Sequence, residues 1–133
     1  MYVRYAWFPG CRVGALGEEL AGRYLRLRGY AIIEQNYRLK LGEVDFIARE
    51  KTELVFIEVK TRSATAFGAP DEAITDAKRL HISRVALAYL KQRGLLREKA
   101  RFDVVSIILE RKRPLARIRL IQNAFSLSRP YSY

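Results

Sequence analysis

The sequence has almost none of the residues from which disulfides and soft-metal sites are made. Its one cysteine, Cys11, excludes an intrachain disulfide and any cysteine-based zinc site within the chain, and its one histidine, His81, removes most other zinc geometries. Long apolar runs are missing too. Nothing approaches the roughly 18 consecutive apolar residues of a membrane-spanning helix, and the aromatic N-terminus, Met1 to Gly10, lacks the apolar stretch of a signal peptide. These absences lead to the expectation of a soluble, cytoplasmic protein with no membrane partner. Acidic residues are scarce relative to basic ones: 14 Asp and Glu stand against 25 Lys and Arg, a formal net charge of +11. An excess of this size attracts polyanions, and for a small non-secreted chain the expected partner is nucleic acid.

What is present is the composition of a folded chain. Half of the 133 residues are hydrophobic and 29% are charged, enough for one core and too few residues for two domains. Residues 14–125 are expected to form that single domain. Residues 1–13 are then an N-terminal extension, mobile or interface-forming, and residues 126–133 a tail. Helical spacing runs from Ala15 to Arg28, with Leu16, Leu20, Tyr24 and Leu27 on one stripe and Gly29 as a stop. Three β-rich segments follow, Tyr30 to Tyr37, Glu43 to Arg49 and Leu54 to Thr61. Glu72 to Arg93 returns to helical period, with Ile74, Ala77, His81, Ile82, Val85, Ala88 and Tyr89 on a broad face. Phe102 to Leu109 and Ala116 to Gln122 read as two further strands. The order α-β-β-β-α-β-β predicts an α/β domain with a mixed sheet flanked by helices, because the crossover helix favours a parallel neighbour and the hairpins give antiparallel ones.

The chemistry concentrates on the hairpin of the second and third segments. A turn centred between Lys51 and Thr52 sets Glu50 opposite Glu53, Asp45 opposite Glu58 and Glu43 opposite Lys60. One face then carries Glu43, Asp45, Glu58 and Lys60 at its open end, with Ile47, Leu54 and Phe56 nearer the turn; the other carries Val44, Phe46, Ala48, Val55, Ile57 and Val59. Two carboxylates so placed suit Mg²⁺ or Mn²⁺, which take a few hard oxygen ligands and leave room for water and phosphate. Lys60 could orient or deprotonate an attacking water. The competing reading is a structural ion-pair cluster on a solvated hairpin face, although such pairs contribute little and would not explain charges interrupting an apolar pattern.

Two helices bring further candidates. Glu18 sits at the edge of the apolar sector of the first helix and can reach such a site, whereas Glu19 points to the polar side; a plain N-terminal carboxylate favoured by the helix dipole is the alternative. Lys78 falls among the apolar residues of the second helix, where it either snorkels or points at a bound phosphate. His81, on the same stripe, reads as a hydrogen-bonded core residue. Arg38, Arg62 and Arg79 border the hairpin and could contact a sugar-phosphate backbone. Tyr2, Tyr5, Trp7 and Phe8 could stack on bases or pack at an interface.

The chain also carries an ordered set of blocks: Gly-Glu18-Glu-Leu-Ala-Gly-Arg-Tyr-Leu, Asn36-Tyr-Arg38, Gly42-Glu-Val-Asp45-Phe-Ile, Val55-Phe-Ile-Glu58-Val-Lys60-Thr-Arg62, Ala77-Lys78-Arg79 and Arg101-Phe-Asp103-Val-Val. In these it resembles, from about Gly14 to Phe125, the YraN-like family of predicted bacterial endonucleases. The resemblance implies a restriction-endonuclease-like fold of the PD-(D/E)xK superfamily, similar to Holliday-junction resolvases. It implies Asp45 and Glu58 as metal ligands with Glu18 assisting, and Lys60 as the catalytic lysine; Lys78 matches the polar position of the second helix loosely. Val44 stands where the superfamily has a proline. The expectation is therefore a Mg²⁺- or Mn²⁺-dependent endonuclease acting on DNA, branched or structured DNA included. The alternatives are a non-catalytic nucleic-acid-binding protein on the same fold and an RNA-binding accessory protein. A homodimer would suit cleavage of two strands.

Overall fold

Apolar residues on both faces of the central strands require a layer of helix on each side of the sheet. The computed structural model describes residues 1–6, 12–64, 74–110 and 112–126 and has this arrangement. Its elements are β1 (Tyr2–Arg4), α1 (Val13–Leu27), β2 (Ala31–Leu39), β3 (Gly42–Glu50), β4 (Glu53–Ser63), α2 (Asp76–Gln92), β5 (Ala100–Glu110) and β6 (Leu115–Phe125). The sheet order is β1-β6-β5-β4-β3-β2. Only β4 and β5 run parallel, joined by the crossover through α2; every other neighbouring pair is antiparallel. This is the α/β mixed sheet expected of a restriction-endonuclease-like domain. The expected order is preceded by one more strand, β1, a three-residue piece too short to carry a pattern of its own. Trp7, Phe8, Cys11, the segment between Ala64 and Ile74 and the tail after Ser126 lie outside the described residues.

Each face of the sheet has its own core. Leu16, Leu20, Ala21, Tyr24 and Leu25 of α1 pack on Phe46, Ala48, Val55, Ile57, Val105 and Ile107. Ile82, Val85, Ala86, Tyr89 and Leu90 of α2 pack on Val44, Ile47, Leu54, Phe56, Phe102 and Val104. Successive residues of β4 and β5 alternate between the two clusters, which is the period-2 rule at work in strands buried on both sides. Leu27, expected on the apolar stripe of α1, is 77% exposed. It occupies the last position of the helix, beyond the reach of the sheet, and the chain turns away through Gly29 at φ +90°.

One glycine sets the distance between α1 and the sheet. A Cβ placed on Gly17 would stand 1.8 Å from Thr61 Oγ1. Only a residue without a side chain lets this turn of α1 lie against β4, and the next residue on that turn is Glu18. α2 begins at Asp76, with the Thr75 hydroxyl accepting a hydrogen bond from the Lys78 backbone N–H at 3.2 Å. Its first turn therefore overhangs the end of the apolar face. Ala77, Lys78 and His81, expected among the core residues, are exposed there.

Candidate functional site

The β3–β4 hairpin has the register read from its turn, Glu50 opposite Glu53 through Phe46 opposite Ile57, and there the ladder stops. The next pair would be Asp45 and Glu58. In its place the Asp45 carboxylate accepts the Val59 backbone N–H at 2.7 Å, so a side chain takes the hydrogen bond that the neighbouring strand would have taken and the strands part. Asp45 does not simply oppose Glu58; it props open a fork. Glu43, expected opposite Lys60, is instead paired in register with Arg38 on β2, and the Arg38 guanidinium meets its carboxylate at 3.2 Å.

The irregularity has a counterpart on β2. Asn36, the residue that the β2–β3 register sets against Asp45, has φ +50°, and neither residue joins the ladder. The left-handed region is one that asparagine tolerates better than most side chains. Across this break the alternation of β3 slips. Val44 belongs to the α2-side cluster together with Ile47, whereas Phe46 faces α1. Val44 is therefore on the face opposite to the one expected from strict alternation. With its amide nitrogen turned toward the acids, Asn36 donates to both oxygens of Glu18, at 3.3 and 3.2 Å, and to Glu43 at 3.3 Å. Sequence pattern did not single out Asn36 as a site residue. Its signal was an amide in mid-strand, at the position where a strand can afford a positive φ.

A hollow of about 450 Å³ opens at the fork, lined by Asp45, Glu58, Glu43, Lys78 and His81 among others. Glu58 is buried, and the Lys78 ammonium is ion-paired with it. Burial works against the charge on Lys78, but the hydrogen bond and the negative charge of Glu58 outweigh it and raise its pKa. Asp45 is pushed up to about 7, first by burial and then by the charge of Glu58; the Val59 N–H and Lys78 pull the other way. Glu18 is raised as well, by burial and then by Asp45, with the Asn36 amide opposing. Three negative side chains from α1, β3 and β4 thus press on one another at this fork.

Of the residues singled out in the sequence, Glu18, Asp45, Glu58 and Lys78 are brought together. Lys60 lies two residues beyond Glu58 on the same face of β4, paired in register with Ser106, and Arg62 follows two further on, paired with Ile108. Arg38 sits at the rim through Glu43. Arg79 is directed elsewhere: its guanidinium lies over the Phe125 ring, 5.5 Å from the centroid. His81 is an exposed wall of the hollow and not a core residue. Its neighbour one turn earlier, Lys78, is the residue that faces Glu58. Among the described residues no three or more His, Cys, Asp or Glu side chains form a ready-made cage for an ion. The fork offers two carboxylates with open space beside them, a donor set that fits Mg²⁺, which keeps several waters, better than zinc.

A mixed sheet between two helices, with acids gathered where two central strands part, defines a restriction-endonuclease-like domain. Residues 17–107 match Uncharacterised protein family UPF0102, the YraN family, and the chain belongs to it. The matched span holds Glu18, Asn36, Asp45, Glu58, Lys60 and Lys78. The UPF0102 protein of Moorella thermoacetica is 46% identical over 114 residues, covering 86% of this chain and 95% of its own. That of Syntrophus aciditrophicus is 45% identical over 117 residues, covering 88% and 91%, and that of Geobacter sulfurreducens 47% over 117 residues, covering 87% and 90%. No helix among the described residues is long and apolar enough to cross a membrane.

Proposed function

We infer that the chain is a metal-dependent endonuclease that hydrolyses phosphodiester bonds of DNA, branched or otherwise structured DNA included. The observation that carries this reading is the convergence of Asp45 and Glu58 on one hollow at the hairpin fork, with the Asp45 carboxyl raised to about 7 by burial and by Glu58. A site that holds like charges together at a cost in stability is a site arranged for a positive group that arrives later.

Asp45 and Glu58 would hold Mg²⁺ or Mn²⁺, with Glu18 reaching the same ion directly or through water. The ion supplies Lewis-acid stabilisation of charge on the scissile phosphate. Asp45 is fixed for this by the Val59 N–H. Glu18 is fixed by Asn36 and by the close approach that Gly17 permits. Lys60 orients the attacking water on the Glu58 face of β4 and takes up its proton or offsets the phosphate charge. Lys78 holds Glu58 in place as a counter-charge before substrate binds. Arg38 and Arg62 contribute salt-dependent contacts to the backbone of the nucleic acid.

The test is a panel of linear, nicked and four-way-junction DNA together with structured RNA, incubated under titration of Mg²⁺ and Mn²⁺. Cleavage of DNA is expected, and it is expected to fall by about 10²- to 10⁴-fold in Asp45→Ala and Lys60→Ala, while salt-sensitive binding persists. Binding without cleavage of any substrate would make the protein a non-catalytic nucleic-acid-binding member of the fold. Cleavage or binding confined to RNA would make it an RNA-directed protein.

A further inference from the structure

The face of the sheet that α2 covers ends at Val104 and Ile121, the last residues of β5 and β6 in the α2-side cluster. Both strands continue past it. On the same face, by the alternation that buries Ala116 and Ile118 on the opposite side, stand Ser106 and Ile108 of β5 and Arg119 and Arg117 of β6. The register sets them in rows that run on from the fork. One row is Lys60, Ser106, Arg119, and the next is Arg62, Ile108, Arg117, Tyr2. Arg4 follows Tyr2 on β1, whose middle residue Val3 packs toward the α1-side core.

The result is a strip from β4 to β1, three interstrand spacings or roughly 14 Å across, carrying Lys60, Arg62, Arg119, Arg117 and Arg4. Among the described residues its one acid beyond the fork is Glu110, already ion-paired with Arg113 at 3.5 Å. Arg117 and Arg119 are exposed and border a hollow of about 410 Å³. Neither Arg4 nor Arg117 meets a carboxylate among the described residues. Beside Arg117, Tyr2 is 59% exposed, a large aromatic held on a strand that is fixed to β6 by the hydrogen bond from the Ile118 N–H to the Met1 carbonyl at 2.8 Å.

Guanidinium groups in rows and an exposed aromatic residue on one sheet face match the chemistry of a single nucleic-acid strand, whose phosphates need cations and whose unstacked bases need an aromatic surface. A duplex offers no free base face to Tyr2. We propose that this strip is the docking surface for a single-stranded DNA segment leaving the fork, with Arg117 and Arg4 on its phosphates and Tyr2 stacked under a base. The proposal rests on the reading of the site as acting on DNA for its ligand and not for turnover.

Fluorescence anisotropy of a labelled 20-residue oligodeoxythymidylate and of a 20-base-pair duplex, both in EDTA, tests it without involving cleavage. Arg4→Gln with Arg117→Gln should lower the salt dependence of single-strand binding, the slope of log K against log salt falling by on the order of 1. Arg23→Gln with Arg26→Gln, on the exposed side of α1, should leave it unchanged. Tyr2→Ala should weaken single-strand binding by about fivefold or more and spare the duplex, with Tyr2→Phe restoring it. Melting temperatures equal to that of the parent protein establish that β1 stays in place. Single-strand binding by Arg4→Gln/Arg117→Gln with unchanged slope overturns the proposal even if the protein cleaves DNA; so does a Tyr2→Ala effect that is equal on duplex and single strand or is not restored by phenylalanine. Reduced single-strand binding in a protein that cleaves nothing supports the strip and rejects the nuclease.

Discussion

β3, β4 and β5 carry acids at both ends of the sheet, and the two ends treat them in opposite ways. Near the hairpin turn, Asp103 is fully buried, yet each of its oxygens is satisfied: Tyr30 Oη donates to it at 2.7 Å, the Asn123 N–H at 2.9 Å, and the Arg101 guanidinium at 3.0 and 3.2 Å. Arg101 also binds Glu50 at 3.0 Å and Glu53 at 3.3 Å, and Gln122 donates to the Tyr30 hydroxyl at 2.9 Å. A carboxylate has about four acceptor positions, and here all four are used. At the fork, Asp45 has one backbone donor, a lysine shared with its neighbour, and two other carboxylates close by. The first arrangement locks strands together. The second leaves charge uncompensated, which is what a binding site for a cation and a phosphate requires.

The largest effect that this contrast predicts is on stability at the turn end. Asp103→Ala leaves the Tyr30 hydroxyl and the Asn123 N–H without their acceptor and Arg101, only 11% exposed in its side chain, with Glu50 and Glu53 alone, and should cost about 3 kcal/mol in urea unfolding; a cost near zero would mean that the network is ornamental to the fold. A change at the fork should act in the opposite direction. Because the folded pKa of Asp45 lies above its unfolded value, the native state binds more protons than the unfolded state between about pH 4 and 7, and stability falls as pH rises through that window. The loss is complete above the folded pKa and absent below the unfolded one. Asp45→Asn removes it, so in EDTA at pH 8 the variant should be more stable than the parent by on the order of 2 kcal/mol, with a flatter stability profile between pH 5 and 8. A variant less stable at pH 8 would show that the acids at the fork are not in conflict. Smaller still, Lys78→Ala removes one of the two groups that hold the Asp45 pKa down. Its expected signature is an upward shift of the Asp45 titration followed by NMR, with a stability change of about 1 kcal/mol or less, since the lysine is half exposed.

Much of this was written in residue order. The central strands are legible as apolar runs on both faces, and a turn at Lys51-Thr52 sets the hairpin register, so the residue order alone brings the acids of the site to one end of the hairpin. The details at the fork could not. Strict alternation assigns Val44 to the wrong face because period 2 holds only while a strand is regularly paired, and pairing fails where Asp45 captures the Val59 N–H. Helical spacing put Ala77 and His81 in the core because periodicity gives the angle around a helix and not how far the sheet beneath it extends. β1 escaped detection since three residues at an edge, exposed on two of three positions, have no pattern against which to be read. The Asp103 network starts from neighbouring residues, Arg101-Phe-Asp103, but its partners Tyr30 and Gln122 come from far along the chain and only the fold assembles them.

The pairing of β1 with β6 joins Tyr2 to Arg117 and Arg4 to Leu115, and the parallel pairing of β4 with β5 closes over the whole of α2. During synthesis, β4 has no second neighbour until β5 has left the ribosome, and β1 must wait for β6. Long-range pairings of this kind are slow and leave strand edges open in the meantime. A nascent chain therefore holds its basic sheet strip incomplete until β6 has been made, and a chain cut before Leu115 loses the partner of β1 altogether.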